Sequence, residues 1–141
     1  MADRNLGTVD FELVSPATLM VSEPVHMVVV PGAEGDIGVL PGHSPLIATV
    51  RPGVIELHEA GKIKDRIFVG GGFVEVSPER CTVLAEEAIP VAKIDPIQAE
   101  TRLAEVRKYA EAPDEKTSKE TMRQIMVAEG LVAAAKHSAH E

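Results

Sequence analysis

The chain has 141 residues, a formal net charge of −8 at pH 7 and an apolar fraction of 45%. Its acidity excludes a broad cationic surface for nucleic acid or anionic lipid, and its apolar fraction argues against a disordered chain. Of the 11 glycines and 10 prolines, only Gly130, Pro96 and Pro113 lie beyond residue 93. The sequence therefore predicts two domains, with short strands in residues 1–93 and helices in residues 94–141.

The first domain begins with apolar residues that alternate with acidic ones from Val9 to Leu13, which is typical of a half-buried strand. Residues 25–30 are apolar on both faces, and this predicts a central strand that contains His26. Further strands are predicted at residues 19–21, 46–50, 54–59, 62–69, 73–76 and 81–85, with a short one among the glycines of residues 32–45. Nine or ten short strands favour a sandwich or a flattened barrel.

Glycine and proline separate these strands. Arg51-Pro52-Gly53 predicts a strand end, and Ala60-Gly61 predicts a hairpin turn. The run Gly70-Gly71-Gly72 predicts a tight bend between packed strands, at which side chains do not fit. A phosphate-binding loop is disfavoured because a strand, and not a helix, follows the run.

The second domain begins with Asp95-Pro96, a helix N-cap followed by proline at the first helical position. A helix of about 15 residues is predicted, with its apolar face at Ala99, Leu103, Val106 and Ala110. Thr117 and Glu120 predict a capping box for a second helix. Its apolar stripe is Met122, Ile125, Met126 and Val132, with Ala128 and Ala135 beside it. Gly130 weakens that helix by about 1 kcal/mol relative to alanine. The narrow stripes predict a weakly docked helical hairpin.

No group of residues forms an evident catalytic centre. His43 beside Ser44 suggests a nucleophile pair, but adjacent residues rarely present a hydroxyl and an imidazole to each other. A loop histidine that bonds the backbone or faces a partner is the favoured interpretation. Cys81 is the single cysteine and lies in an alternating apolar run, so we expect a buried core residue. No metal site is predicted, because His137 and His140 have no third ligand nearby.

Several segments resemble the epsilon subunit of bacterial F-type ATP synthase. The run from Gly35 to Leu46, GDIGVLPGHSPL, is similar to the signature loop of that family, and Gly71 to Val76, GGFVEV, is similar to its second signature. Residues 82–88 and the opening strand at residues 9–15 also resemble family segments, in the same order. The resemblance implies a flattened β-sandwich of about ten strands followed by a C-terminal two-helix hairpin.

The resemblance also implies a function and partners. The chain would be a non-catalytic rotor subunit of the central stalk that joins the gamma subunit to the c ring and couples proton flow to ATP synthesis. The c ring would be faced by residues of one turn, namely Gly32, Glu34, Asp36 and Ile37. The gamma interface would include Pro41 and His43, together with an unpaired apolar patch on the sandwich. The subunit would be peripheral, without membrane insertion, on the cytoplasmic face of the bacterial inner membrane.

The helical arm of that family can extend towards the catalytic alpha and beta subunits, and some members bind ATP when it is folded. By resemblance, Asp95 and Arg123 are the candidate nucleotide-binding residues. Gln98 stands where the family motif has arginine, and glutamine cannot replace the donors of a guanidinium. We therefore expect no cofactor and weak or absent ATP binding. We also expect a weakly inhibiting arm, because acidic residues dilute its basic ones and Gly130 argues against a rigid, extended second helix. The alternatives are a small nucleotide-sensing or protein-binding regulatory β module and, third, an enzyme that uses His43 and Ser44.

Overall fold

The chain forms an N-terminal β-sandwich followed by a C-terminal two-helix hairpin. The computed structural model describes residues 7–111 and 119–139, with side chains as far as residue 136. The strands within these residues are β1 (Val9–Ser15), β2 (Thr18–Val25), β3 (Met27–Gly32), β4 (Gly35–Val39), β5 (Leu46–Glu59), β6 (Lys62–Val76), β7 (Arg80–Ala85) and β8 (Ala88–Pro90). A 3₁₀ turn at Val91–Lys93 precedes α1 (Pro96–Ala110) and α2 (Lys119–Ala139). Thr117 of the predicted capping box, the side chain of His137 and the whole of His140 lie outside the described residues.

The strands are hydrogen-bonded in the order β2-β1-β7-β6-β5-β3-β4, and β8 also pairs with β6. The prediction of about ten strands exceeds the eight in the described residues because two predicted breaks are absent. Strand β5 continues through Pro52-Gly53, and β6 continues through its three glycines. The two strands pair along almost their full length, and this pairing overrides the local tendency of proline and glycine to end a strand. Strand β8 adds one short strand that the sequence did not indicate.

The three consecutive glycines lie where β6 exchanges one neighbour for another. Residues 67–69 pair with β8, whereas residues 72–76 pair with β7. Gly72 has a φ of +143°, and a Cβ at this position would lie 2.0 Å from the carbonyl oxygen of Leu84. The predicted exclusion of side chains at this run is therefore confirmed, although the bend lies inside one continuous strand.

The main core lies between the layers of the sandwich and takes buried side chains from β1 to β7. Most of them are valines, and the largest are Phe11, Leu13, Ile55 and Leu57. Cys81 is fully buried among them, as predicted. Burial raises the pKa of its thiol to about 12, so the group stays protonated and serves as a small apolar side chain.

The predicted hairpin at Ala60-Gly61 is confirmed, with φ angles of 54° and 79° at the two turn residues. The backbone N–H of Ala60 donates a hydrogen bond of 2.8 Å to Nδ1 of His26. His26 itself lies in a bend between β2 and β3, so its prediction as a strand residue is wrong. Sequence alternation missed this bend because residues on both sides of it are apolar.

Helix α1 begins and ends close to the predicted residues. The Oδ1 atom of Asp95 accepts hydrogen bonds from the backbone N–H groups of Ile97 at 2.9 Å and Gln98 at 3.3 Å. This is the predicted N-cap, and the helix is 15 residues long. Ala99 and Leu103 of the predicted apolar face are buried.

The predicted apolar stripe of α2 is only partly right. Val132 is buried as predicted, and so are Ala128 and Ala135 beside the stripe, whereas Met122 and Met126 are each 50% exposed. The described part of this helix also buries Thr121, Val127 and Ala134. Helix α2 contacts both α1 and the strands β5 and β6, so it needs two buried faces and not one. Small residues on these faces let the helix approach both neighbours closely, and the two large methionines remain on its third, solvent face.

A second apolar cluster, which we call the docking core, joins the helices to the sandwich. Phe68 of β6 is fully buried in it together with Val91, Leu103, Val127 and other residues of the arm. A Cβ on Gly130 would lie 3.1 Å from Cε1 of Phe68, so this glycine lets α2 lie directly on the ring. The free energy of this docking, expected from the sequence to be small, stays a prediction.

Substitution of Gly72 tests the close approach inside β6. We expect Gly72→Ala to lower the free energy of unfolding by more than about 2 kcal/mol, because the methyl group meets the Leu84 carbonyl and the φ angle is strained. Gly38→Ala is the matched control, since a Cβ on Gly38 meets nothing within 4 Å. Urea denaturation of both variants measures the difference, and equal stabilities would contradict the argument.

Candidate functional site

The four residues predicted to face a partner ring lie together around the turn between β3 and β4. Glu34 is exposed in the turn, and Asp36 is exposed at the start of β4. Gly32 ends β3, where a Cβ would lie 2.6 Å from the carbonyl oxygen of Gly35. Ile37 is half-buried and packs against the main core, so it supports the turn from below.

Arg51 of β5 is a further residue of this region, and sequence reasoning missed it. Its Nη1 donates to the carbonyl oxygen of Gly32 at 2.6 Å, and its Nη2 donates to Oδ1 of Asp36 at 2.8 Å. The interpretation of Arg51-Pro52-Gly53 as a strand end concealed this role. Only the pairing of β3 with β5 brings the guanidinium beside the turn.

An open groove of about 510 Å³ separates this turn from the first residues of β5. It is lined by residues in and next to the turn, including Glu34 and Asp36, and by residues of β5, including Leu46 and Ile47. Leu46 is 37% exposed and Ile47 is 73% exposed. The groove thus combines carboxylates with aliphatic side chains.

Pro41 and His43 lie in the loop between β4 and β5, and both are half-buried. Nδ1 of His43 lies 2.6 Å from the carbonyl oxygen of Ser44, so an Nδ1–H tautomer donates to the backbone. The loop is attached to the β6–β7 turn by a hydrogen bond from the Gly42 N–H to the Pro78 carbonyl, at 2.8 Å. The imidazole is therefore engaged by the backbone, which fits a structural or partner-facing loop better than a catalytic pair.

An exposed line of apolar side chains crosses the outer face of the sandwich. The strand register places Phe73 opposite Leu84, Leu84 opposite Val14, and Val14 opposite Leu19. Phe73 and Leu19 are each 56% exposed, and Leu84 is 51% exposed. We call these four residues the apolar row. Ile47 of β5 lies diagonally next to Phe73, two residues from its direct partner, and extends the same face.

The two candidate nucleotide-binding residues have structural partners within the described chain. Asp95 caps α1, as described above. Arg123 of α2 donates from Nη1 to Glu86 at 2.6 Å and from Nη2 to Glu120 at 2.7 Å. These carboxylates raise the pKa of Arg123, most strongly through its hydrogen bonds with Glu120. Its guanidinium thus holds α2 to the segment between β7 and β8.

Glu87, the next residue in that segment, holds the other helix. Arg102 of α1 donates to both of its carboxylate oxygens, at 2.8 and 2.9 Å. This bidentate ion pair lowers the pKa of Glu87 and raises that of Arg102. Adjacent carboxylates, Glu86 and Glu87, thereby bind one helix each. Nothing local in the sequence indicates this role, since it depends on the helices folding back.

The described residues contain no group of three or more His, Cys, Asp or Glu side chains placed to hold a metal ion. Among the described helices, none combines the length and the apolar character needed to span a membrane.

Comparison with known proteins shows one family. Residues 8–91 match the family described as ATP synthase, Delta/Epsilon chain, beta-sandwich domain. The ATP synthase epsilon chain of Paramagnetospirillum magneticum is 51% identical over 127 residues, which cover 89% of this chain and 96% of that protein. The epsilon chain of Rhodospirillum rubrum is 50% identical over 131 residues, which cover 92% of this chain and 97% of that protein.

Solved structures agree with this match. A chain in the cryo-EM structure of the Euglena gracilis mitochondrial ATP synthase, OSCP/F1/c-ring, superposes with a TM-score of 0.77 at 28% identity. The match covers 94% of this chain and 85% of that chain. A chain in the central stalk/c-ring structure of the Tetrahymena thermophila mitochondrial ATP synthase has a TM-score of 0.58 at 9% identity, covering 92% and 96%, and shows the fold alone.

The ion pair between Glu87 and Arg102 predicts a pH-dependent contribution to stability. We expect Glu87→Gln to lower the free energy of unfolding by about 1 kcal/mol at pH 7, since the pair is bidentate but partly exposed. Because the folded-state pKa of Glu87 is lowered, the pair stabilises the chain above the unfolded pKa of about 4.3 and is lost as the pH falls through the lowered value. The difference between variant and parent should therefore shrink in acid.

Urea denaturation between pH 3 and pH 7 measures this difference. Glu100→Gln is the charge-matched control, because Glu100 is exposed on α1 and has no hydrogen bond or ion pair among the described residues. A difference that stays constant down to pH 3 would contradict the assigned role of the pair.

Proposed function

The chain belongs to the ATP synthase delta/epsilon chain family, and from this premise we propose that it is a non-catalytic rotor subunit of the central stalk of a proton-translocating F-type ATP synthase. In this role it links the gamma subunit to the c ring and transmits the rotation that couples proton flow to ATP synthesis. The relatives named ATP synthase epsilon chain and the c-ring-containing assembly of the 28% identical neighbour support this proposal.

The observation that carries the proposal is the apolar row. Strand β6 has two phenylalanines on its outer faces, and the arm covers Phe68 but leaves Phe73 more than half exposed. A continuous apolar surface across four strands is costly to leave in water and is typical of a protein interface. We assign this surface, together with Pro41 and His43 of the neighbouring loop, to the gamma subunit.

The turn that contains Glu34 and Asp36 is assigned to the c ring. Its carboxylates suit the polar and basic loops of a membrane rotor, and the partly exposed side chain of Leu46 adds apolar contact. The subunit is accordingly peripheral, on the cytoplasmic face of a bacterial inner membrane, without inserting into it. We divide it at residue 94 into a sandwich that binds gamma and the ring and a helical arm that reaches the catalytic alpha and beta subunits when it is released.

We further propose that ATP binds weakly or not at all and that the arm regulates weakly. Arg123 is held by Glu86 and Glu120, and Gln98 offers only an amide where a guanidinium would be needed. The ion pairs of Glu86 and Glu87 and the docking core hold the arm against the sandwich. A nucleotide would have to break these pairs to reach the same arginine.

Substitution within the apolar row tests the gamma assignment. We expect Phe73→Asp combined with Leu84→Asp to weaken binding to purified gamma subunit by at least about tenfold, because charged groups would be buried within the interface. The control is Ile97→Asp combined with Met122→Asp, which introduces the same two charges at apolar residues of the arm that are 77% and 50% exposed. Binding is measured by surface plasmon resonance, with circular dichroism to confirm folding. Unchanged affinity in a folded double variant would exclude this surface.

Calorimetric titration of the full chain with ATP tests the nucleotide proposal. We expect no saturable heat at millimolar ATP and no rise in melting temperature. The variant Gln98→Arg restores a guanidinium at the motif position and should bind ATP more tightly than the parent. Micromolar binding by the unsubstituted chain would overturn the proposal.

A further inference from the structure

Arg51 connects both ends of the turn between β3 and β4. One arm of its guanidinium donates to the backbone carbonyl of Gly32 at the end of β3, and the other donates to the carboxylate of Asp36 in β4. A guanidinium is planar and rigid, so two simultaneous hydrogen bonds fix the distance and orientation of the groups that accept them. The turn residues between these anchors, Ala33 and Glu34, are thereby held at the lip of the groove.

The same contacts compensate only one of the two carboxylates in this region. The carboxylate of Asp36 is compensated by Arg51, at 2.8 Å. Glu34 has no hydrogen bond or ion pair with any residue of the described chain. The uncompensated negative charge of this surface therefore lies on Glu34, although the sequence presents both carboxylates as equivalent.

The groove beside Glu34 is chemically suited to bind a basic side chain. Its lining also includes Leu46, whose aliphatic side chain is 37% exposed. Lysine and arginine place a hydrocarbon stem along apolar surface and a cationic head near a carboxylate. A groove with one free carboxylate and a partly exposed aliphatic side chain is complementary to such a side chain.

We infer that Arg51 is a positioning residue, which holds the turn so that Glu34, and not Asp36, meets a lysine or arginine from a loop of the c ring. This inference rests on the proposed function, which supplies the ring as the partner. Asp36 acts within the subunit, as the anchor of Arg51. The specificity of the contact thus depends on an arginine that does not itself touch the partner.

The test measures the affinity of the full chain, bound to gamma, for purified c ring in detergent. We expect Glu34→Gln to weaken binding about fivefold and to reduce its salt dependence, as for a partly exposed ion pair. Arg51→Met should weaken binding to a similar extent, and Arg51→Lys should not restore it, since one ammonium cannot hold both anchors. Because Arg51 acts through Glu34, adding Arg51→Met to Glu34→Gln should cause no further loss.

Two controls separate this role from a general loss of structure. Asp65→Asn removes one charge from an exposed residue that pairs with Leu57 of β5. Leu57 lies eight residues, or roughly 26 Å, along the strand from Thr49 of the groove. This variant should leave ring affinity unchanged. Affinity for gamma and melting temperature should stay at parental values in the Arg51 variants. The inference is overturned if the Arg51 variants bind the ring like the parent, or if the losses at residues 34 and 51 multiply.

The same binding experiment distinguishes a failure of the proposed function from a failure of this inference. If the unsubstituted chain with gamma does not bind the ring, the ring contact is wrong and the role of Arg51 in it is wrong too. If the parent binds and Arg51→Met binds equally well, the ring contact stands and only the positioning role is excluded.

Discussion

The close approach of β6 to the backbone of β7 at Gly72 is the constraint on which the other surfaces depend. It lets one strand leave β8, pass the glycines and join β7 without a break. Because the strand continues across this point, Phe68 and Phe73 both lie on faces of β6 that point away from the main core. One ring becomes the base on which the arm docks, and the other remains exposed at one end of the apolar row.

Ion pairing then separates the acidic residues that hold the fold together from one that has no partner within the described chain. Glu86 and Glu87 bind the two helices through Arg123 and Arg102, and Asp36 anchors Arg51 in the same way. These pairs are partly exposed, so each contributes modestly, and the two that hold the helices depend on the docking core for their geometry. Glu34 lacks such a partner in the described chain, and that difference makes it the candidate external contact.

Local signals in the sequence predicted much of the fold. The alternation in β1, the hairpin at Ala60-Gly61 and the N-cap at Asp95 were confirmed because each depends on neighbouring residues alone. The merger of strands at Pro52 and the second buried face of α2 were missed, since both arise from pairing with distant segments. The same distinction applies to the candidate site. Its turn was predicted because it is a contiguous motif, whereas Arg51 was missed because it comes from another strand.

The sequence by itself determined the two-part organisation, the acidic turn and the family, because composition, short motifs and resemblance are properties of contiguous residues. Only the tertiary structure decided which acidic and aromatic residues remain available to a partner. Phe68 and Phe73 lie on the same strand, and Glu34 and Asp36 lie in the same turn, yet one of each pair is engaged internally. The physical reason is that burial and ion pairing depend on segments remote in sequence, which no local pattern specifies.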